Sequence, residues 1–364
     1  MTSDDRADRR QTKDQQALKA IRFTRIVLPI IIGASVVGIL FYRQWDQVSF
    51  ASISWSGYTL IGLAFAVTFL AGRILFYAAR LRHLSDKYFS FLKCIQLIFI
   101  WEFSSAVSPT NVGGSAVALF VISQEKIGAA RTATIVIYTI VLDTLFFLLC
   151  VPIWLIIFGS NILGPGRTSF EGYGGWEISL ITAYVLMMLY GTFFFYGLFY
   201  RPKTLRKFSI WLSKIKWLGR YKEKFRTLGD DITLTSKTLA TKRWGYHLKA
   251  FLFTVGAWSC RFLLIISLIM GIARTLPFEL SPVLELYARI QTMFVMMAVS
   301  PTPGGAGLAE LLFGSLLTDF VPPSVSLIIA MIWRTMAYYI FLLIGAIVIP
   351  HWLGTIIKKK KKKG

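Results

Sequence analysis

The chain alternates between apolar runs long enough to cross a bilayer and short polar stretches rich in Lys and Arg. A membrane helix needs about 20 apolar residues, and runs of that order occupy 57–79, 132–158, 178–199, 248–273 and 324–349. Another, 26–42, carries the basic flank of a signal peptide but no small-residue cleavage site before Arg43, so it reads as a retained helix. The ten-residue segments of alternating hydrophobicity that mark a membrane β-barrel do not occur. The pattern predicts an all-α polytopic membrane protein: a basic N-terminus (1–25), one transmembrane domain (26–350) and a lysine tail (351–364).

Two stretches, 89–128 and 284–322, break in the middle at Pro and Gly. The first reads Ala106-Val107-Ser108-Pro109-Thr110 and then Gly113-Gly114; the second reads Ala298-Val299-Ser300-Pro301-Thr302 and then Gly304-Gly305. Five identical residues and a Gly pair, 192 positions apart, make an internal repeat. Its flanks agree, because Arg73 precedes Ser108 by 35 residues and Arg261 precedes Ser300 by 39, each inside an apolar run. Each unit is expected to be helix, broken re-entrant hairpin, helix, over 57–158 and 248–349. The plainer alternative is a pair of ordinary membrane helices kinked at Pro and Gly. Non-helical backbone at membrane depth is tolerated only where it is buried or lines a polar cavity, and this favours the hairpins.

Charge sets the expected orientation. Of the 364 residues, 55% are hydrophobic and 16% charged, with a formal net charge of +22 and a mean hydropathy of +0.61. That composition excludes an ordinary soluble domain, where about a quarter of residues are charged. Most of the 40 Lys and Arg cluster before residue 26, in the loop 201–247 and in Lys358–Lys363. Basic segments flanking membrane spans stay on the cytoplasmic side, so both termini and the loop 201–247 are expected in the cytoplasm and the loop 159–177 outside. The two repeats are then inverted, a recurring plan of secondary transporters. Nucleic acid is the weaker partner reading, since no basic domain stands apart from the spans. The loop 201–247, with Trp211 and Trp217 among lysines, reads either as an amphipathic helix at the inner membrane surface or as a plain solvated loop. Cys94, Cys150 and Cys260, and His83, His247 and His351, lie singly and far apart, with no metal-ligand spacing.

Ionisable residues within membrane spans are costly and mark functional sites by default. Here they are Arg73, Glu102, Asp143, Arg261, Arg289, Glu310 and Arg334, with Arg80 and Lys93 nearer the span edges. Excess positive charge in a cavity suits an anion, because Arg grips a phosphate with two N–H groups while apolar helix faces remain for acyl or prenyl chains. The Gly113-Gly114 and Gly304-Gly305-Ala306-Gly307 turns are expected to present backbone N–H groups at helix starts, which attract phosphate. Ser108, Pro109, Thr110, Ser300, Pro301 and Thr302 complete the expected binding set. The competing reading is that Arg and acid neutralise each other to fix packing, as Glu285 and Arg289 at i, i+4 spacing could do.

The run Ser300-Pro301-Thr302-Pro303-Gly304-Gly305-Ala306-Gly307-Leu308-Ala309-Glu310, with the earlier Ser108-Pro109-Thr110 break and Asp143 after it, resembles the lysylphosphatidylglycerol synthase transmembrane region, a flippase-like family. The resemblance covers roughly residues 25–350. The first motif departs from the commoner Gly-Glu form, with Asn111-Val112 before its Gly pair and no acid just after it. In full-length synthases of the family an aminoacyl-transferring domain follows the membrane part, which translocates the product lipid; here a lysine tail follows the last span. The resemblance thus implies translocation without synthesis, of an anionic phospholipid or polyprenyl-phosphate headgroup, in the cytoplasmic membrane. Alternatives are a transferase acting on a lipid-linked substrate, for which no nucleophile–base pair or metal cluster is visible, and a non-transporting scaffold for a synthase or glycosyl transferase. Expected partners are the lipid cargo, the bilayer, such an enzyme and a second copy of the chain. No nucleotide-binding motif or cofactor site is visible.

Overall fold

The computed structural model describes residues 55–107, 118, 119, 121, 122, 125, 127–164, 175–212, 233, 236–300, 302–305, 307–345, 347–349 and 352. Among these, structure is helical and no strand occurs. The elements are α1 (Gly57–Leu84), α2 (Phe91–Val107), α3 (Ala129–Phe158), α4 (Gly175–Phe199), α5 (Pro202–Leu212), α6 (Trp244–Ile272), α7 (Leu280–Met297), α8 (Leu308–Leu316) and α9 (Pro323–Arg334). Turns of 3-10 helix follow α3 at Gly159–Leu163 and join α7 to α8 at Pro303–Gly305, and a π turn, Thr335–Tyr339, continues α9. Among the described residues, five helices are long and apolar enough to cross a membrane: Gly57–Leu84, Arg131–Leu163, Gly175–Phe199, Trp244–Ile272 and Pro323–Ile349. The expected span 26–42 lies outside the described residues.

Helices α1 and α6 lie side by side and antiparallel. Gly62 meets Gly271 and Gly72 meets Cys260, while Gly256 takes the ring of Phe76. A Cβ on Gly62 would stand 2.6 Å from the Cα of Gly271, so only glycine lets the two backbones approach this closely. Lipid tails are as apolar as Leu, so close packing of small residues, and not the hydrophobic effect, holds membrane helices together. Thr59 adds a hydrogen bond from its hydroxyl to the carbonyl of Gly271, 3.0 Å. The outer surface is apolar, with Leu60, Ile61, Phe65, Ile156, Leu189 and Ile347 exposed.

Pro152 sits inside α3 and cannot donate to the carbonyl of Leu148 one turn earlier. The Tyr184 hydroxyl of α4 donates to that carbonyl at 3.1 Å, so the breach is closed from the neighbouring helix.

The second broken stretch consists of α7, a bend at Ala298–Gly307 and α8. Gly304, Gly305 and Gly307 all have positive φ, and at Gly304 an added Cβ would also collide with the Tyr338 ring. In the first stretch α2 is described as far as Val107; Ser108, Pro109, Thr110, Gly113 and Gly114 lie outside the described residues, as do Pro301 and Ala306 in the second. The loop 201–247 opens with α5, whose Leu205 packs against Gly197 and whose Phe208 meets Phe193 edge-on, with Lys203, Lys207 and Trp211 exposed.

One expectation is corrected here. The sequence sets the end of the second span at Ala79 and places Arg80 near its edge, whereas α1 runs on to Leu84 and Arg80 is buried. A carboxylate on another helix receives it, so its charge does not require the end of the span.

Candidate functional site

The apolar interior falls into two large clusters and a small third one of Phe103, Ala106, Tyr338 and Leu342. One cluster gathers Ala66 of α1, Phe146 and Phe147 of α3, and α6 from Phe262 onward; the other gathers Tyr77 and Ala78 of α1, Val141 and Leu142 of α3, and α6 up to Ala257. The residues between, on the same helices, are Arg73, Asp143, Trp258 and Arg261. A belt of charge thus crosses the bundle about halfway along its helices. Eleven residues separate Arg73 from Leu84, roughly 16 Å of helix at about 1.5 Å per residue.

Three carboxylates anchor the belt. Glu102 of α2 is shared: Arg73 of α1 donates a hydrogen bond to it, and Arg261 of α6 approaches it at 3.6 Å. Asp143 of α3 accepts from Arg80 at 2.5 Å and from the Trp258 indole at 3.0 Å; Arg80 also donates to the Thr254 hydroxyl, 2.9 Å. Glu310 of α8 lies 3.0 Å from Nε of Arg334, an ion pair by distance whose N–H is not aligned as a hydrogen bond. Aromatic faces complete the coordination. Arg73 lies over Phe341 (4.9 Å), Arg261 over Trp258 (4.9 Å), Arg80 over Tyr77 (4.8 Å) and Arg334 over Tyr338 (4.5 Å). Such contacts contribute on the order of 1–2 kcal/mol when desolvated.

Among the described residues four arginines meet three carboxylates in this belt, an excess of one positive charge. Taking an ion out of water costs several kcal/mol even after relaxation, unless its donors are all satisfied. They are not. Among the described residues, Nε and Nη1 of Arg73, Nε of Arg261 and Nη2 of Arg334 have no hydrogen-bond partner. Arg73 is only 1% exposed, whereas the side chains of Glu102, Arg261 and Asp143 keep 18%, 20% and 28% of their surface. The belt is therefore partly open at Glu102, Arg261 and Asp143, and Arg73 is its buried member.

The structure brings together Arg73, Glu102 and Arg261, pairs Arg80, which the sequence places nearer a span edge, with Asp143, and adds Tyr77, Thr254 and Trp258, which the sequence does not single out. The pairing of Arg80 could have been found by noting that Asp143, alone in its span, needs a cation from another helix. Tyr338 is a further addition. It donates to the carbonyl of Ala106, 3.1 Å, and joins the last span to the end of α2.

Two of the expected site features are engaged within the protein. In the second Gly-rich turn, Gly307 N–H donates to Glu310 at 2.8 Å and Gly305 N–H to the carbonyl of Thr302 at 3.0 Å. Glu310 caps the start of α8, and Arg334 donates to the Gly304 carbonyl at 2.7 Å, so this pair fastens the bend. Ser300 and Thr302 hydrogen-bond each other there, 2.9 Å. Arg289 is held by Glu285 (2.5 Å), Asp319 (2.6 Å) and the Leu316 carbonyl (3.1 Å), which is the packing role considered for it. No group of three or more His, Cys, Asp and Glu that could hold a metal occurs among the described residues.

Bilayer-length helices enclosing a belt of arginine–carboxylate pairs define a polytopic membrane protein with a polar site inside the membrane. The family model for the lysylphosphatidylglycerol synthase TM region matches residues 26–345, and the chain belongs to that family. It is similar to a UPF0104 membrane protein of Archaeoglobus fulgidus, with 25% identity over 344 residues that make up 92% of this chain and 98% of the relative. No solved structure matches it.

Proposed function

We propose that the protein moves a lipid with an anionic phosphate headgroup between the leaflets of the cytoplasmic membrane, without making or breaking covalent bonds in it. The observation that carries this reading is Arg73, buried midway along α1, with two nitrogens unpartnered among the described residues and its carboxylate shared with Arg261. A structural ion pair leaves no cation in excess, as at Arg289, which two carboxylates hold although its Nε is unpartnered among the described residues. A transient site for a phosphate needs a surplus cation and donors left over. The headgroup enters past Glu102 and Arg261, takes the free donors of Arg73, and draws both guanidiniums from Glu102, while the acyl or prenyl chains stay against the apolar helix faces. Release to the other leaflet returns Arg73 and Arg261 to Glu102. The two inverted hairpin units supply the alternating access, with both termini in the cytoplasm.

The test is leaflet exchange of fluorescent anionic and zwitterionic lipids in proteoliposomes, with polyprenyl phosphate as a further cargo. The native protein is expected to exchange anionic lipid faster than zwitterionic, and Arg73→Ala with Arg261→Ala to lose that exchange while remaining folded. Absence of exchange for every lipid by the native protein would replace this reading with that of a non-transporting partner of a lipid-modifying enzyme.

A further inference from the structure

Outside the charge belt, a second polar site lies where the chain leaves the apolar interior. Asp86 stands in the turn joining α1 to α2, and two cations share its carboxylate: Arg131 of α3 at 2.9 Å and Lys242, just before α6, at 2.9 Å. Arg131 also donates to the carbonyl of Ser85, 2.8 Å. Beside them opens a cavity of about 250 Å³ lined by Asp86, Arg131, Thr134, Tyr138, Lys242 and Tyr246, among others. Thr134 is 7% exposed, and its hydroxyl has no hydrogen-bond partner among the described residues. Among the described residues the site thus holds one more positive charge than negative, a buried unpartnered hydroxyl, and room for a tetrahedral anion.

We propose that this cavity binds a phosphate group, with Asp86 acting as its internal stand-in between Arg131 and Lys242. A phosphate offers the same two cations more acceptor oxygens than a carboxylate and reaches the Thr134 hydroxyl as well. The placement gives the site a consequence. The turn at Asp86 joins the helices carrying Arg73 and Glu102, Arg131 is on the helix carrying Asp143, and Lys242 immediately precedes the helix carrying Arg261. An anion here clamps the ends of the four helices that carry those charges, and Asp86 set free loosens the turn between α1 and α2. The inference does not depend on lipid being carried across the membrane.

The experiment is amide hydrogen exchange of the full chain in phosphatidylcholine nanodiscs, titrated in separate arms with inorganic phosphate and with dihexanoyl phosphatidylglycerol. Slower exchange in 82–90 and 236–246 is expected: in the phosphate arm if the ligand is a free phosphate, and in the lipid arm alone if it is a headgroup. The segmental readout separates this site from the charge belt. Asp86→Asn, which removes the competing carboxylate, is expected to lower the half-saturating concentration several-fold, and Arg131→Gln or Thr134→Val to raise it several-fold. A purely structural salt bridge predicts the opposite for Asp86→Asn, faster exchange in 82–90 with no gain in binding. Absence of protection in both arms, or half-saturation unmoved by Asp86→Asn and Thr134→Val, overturns the proposal.

Discussion

Replacing Glu102 with Gln keeps the size of the side chain and removes the one negative charge that Arg73 and Arg261 share. Both guanidiniums then remain in the membrane interior with no carboxylate within ion-pair distance among the described residues, facing each other across an amide. Breaking a buried ion pair by deleting one partner costs about 3–5 kcal/mol. The Glu102 side chain is 18% exposed, so some water reaches the vacated position, and the lower end, about 3 kcal/mol, is expected. That is roughly a hundredfold in the unfolding equilibrium at about 1.4 kcal/mol per tenfold. The assay is denaturant unfolding in mixed micelles, followed by helical circular dichroism. Adding Arg261→Gln to Glu102→Gln leaves one cation where there had been two, and is expected to recover about half of the loss. Dihexanoyl phosphatidylglycerol is expected to stabilise Glu102→Gln more than the native protein, because its phosphate takes the empty place. A single variant as stable as the native protein, or losses that simply add in the double variant, would refute the argument that one carboxylate compensates two arginines.

Other outcomes follow from particular contacts. Gly62→Val sets a branched side chain 2.6 Å from the backbone of α6, which has no rotamer with which to yield, and should abolish the monodisperse species in size-exclusion chromatography. Tyr184→Phe should cost about 1–2 kcal/mol by stripping the Leu148 carbonyl of its donor, and Pro152→Ala should remove most of that penalty by restoring the helical N–H; denaturant midpoints check both. Arg289→Gln should lower stability by a few kcal/mol while leaving lipid exchange per folded molecule at the native level, since its partners Glu285 and Asp319 lie outside the belt. A fall in specific exchange with Arg289→Gln would place it in the transport path.

The helices were legible because each apolar run has to satisfy its own backbone within the bilayer, and α4 begins and ends within three residues of the run that predicts it. Arg73 and Arg261 stood out for the same reason, as charges where the solvent offers them no water. Pairing was not legible. Arg80 and Asp143 are 63 residues apart, and nothing along the chain says that α1 presents one to α3 at the depth of the other. With Arg82 nearby, Arg80 reads as the start of a loop. Glu310 was legible as a charge but not as a cap, because the capping role depends on the positive φ of Gly307, which the sequence allows without requiring. Tyr338 and Trp258 were hidden for a different reason: aromatic residues are ordinary in membrane helices, and only the guanidiniums lying on their faces distinguish them.

The π turn at Thr335–Tyr339 follows directly on Arg334. Such a turn holds one residue more than the α-helical repeat allows, a surplus carried in register and not in length. Resolving it into regular α-helix would turn everything beyond by about 100° relative to Arg334. Tyr338 would swing off the carbonyl of Ala106, and Phe341 off the guanidinium of Arg73, while Arg334 kept its hold on Gly304 and Glu310. The extra residue therefore sets the phase of the last span: the part before the turn is fastened to the glycine bend, and the part beyond it meets α1 and α2 only in the register that the π turn supplies.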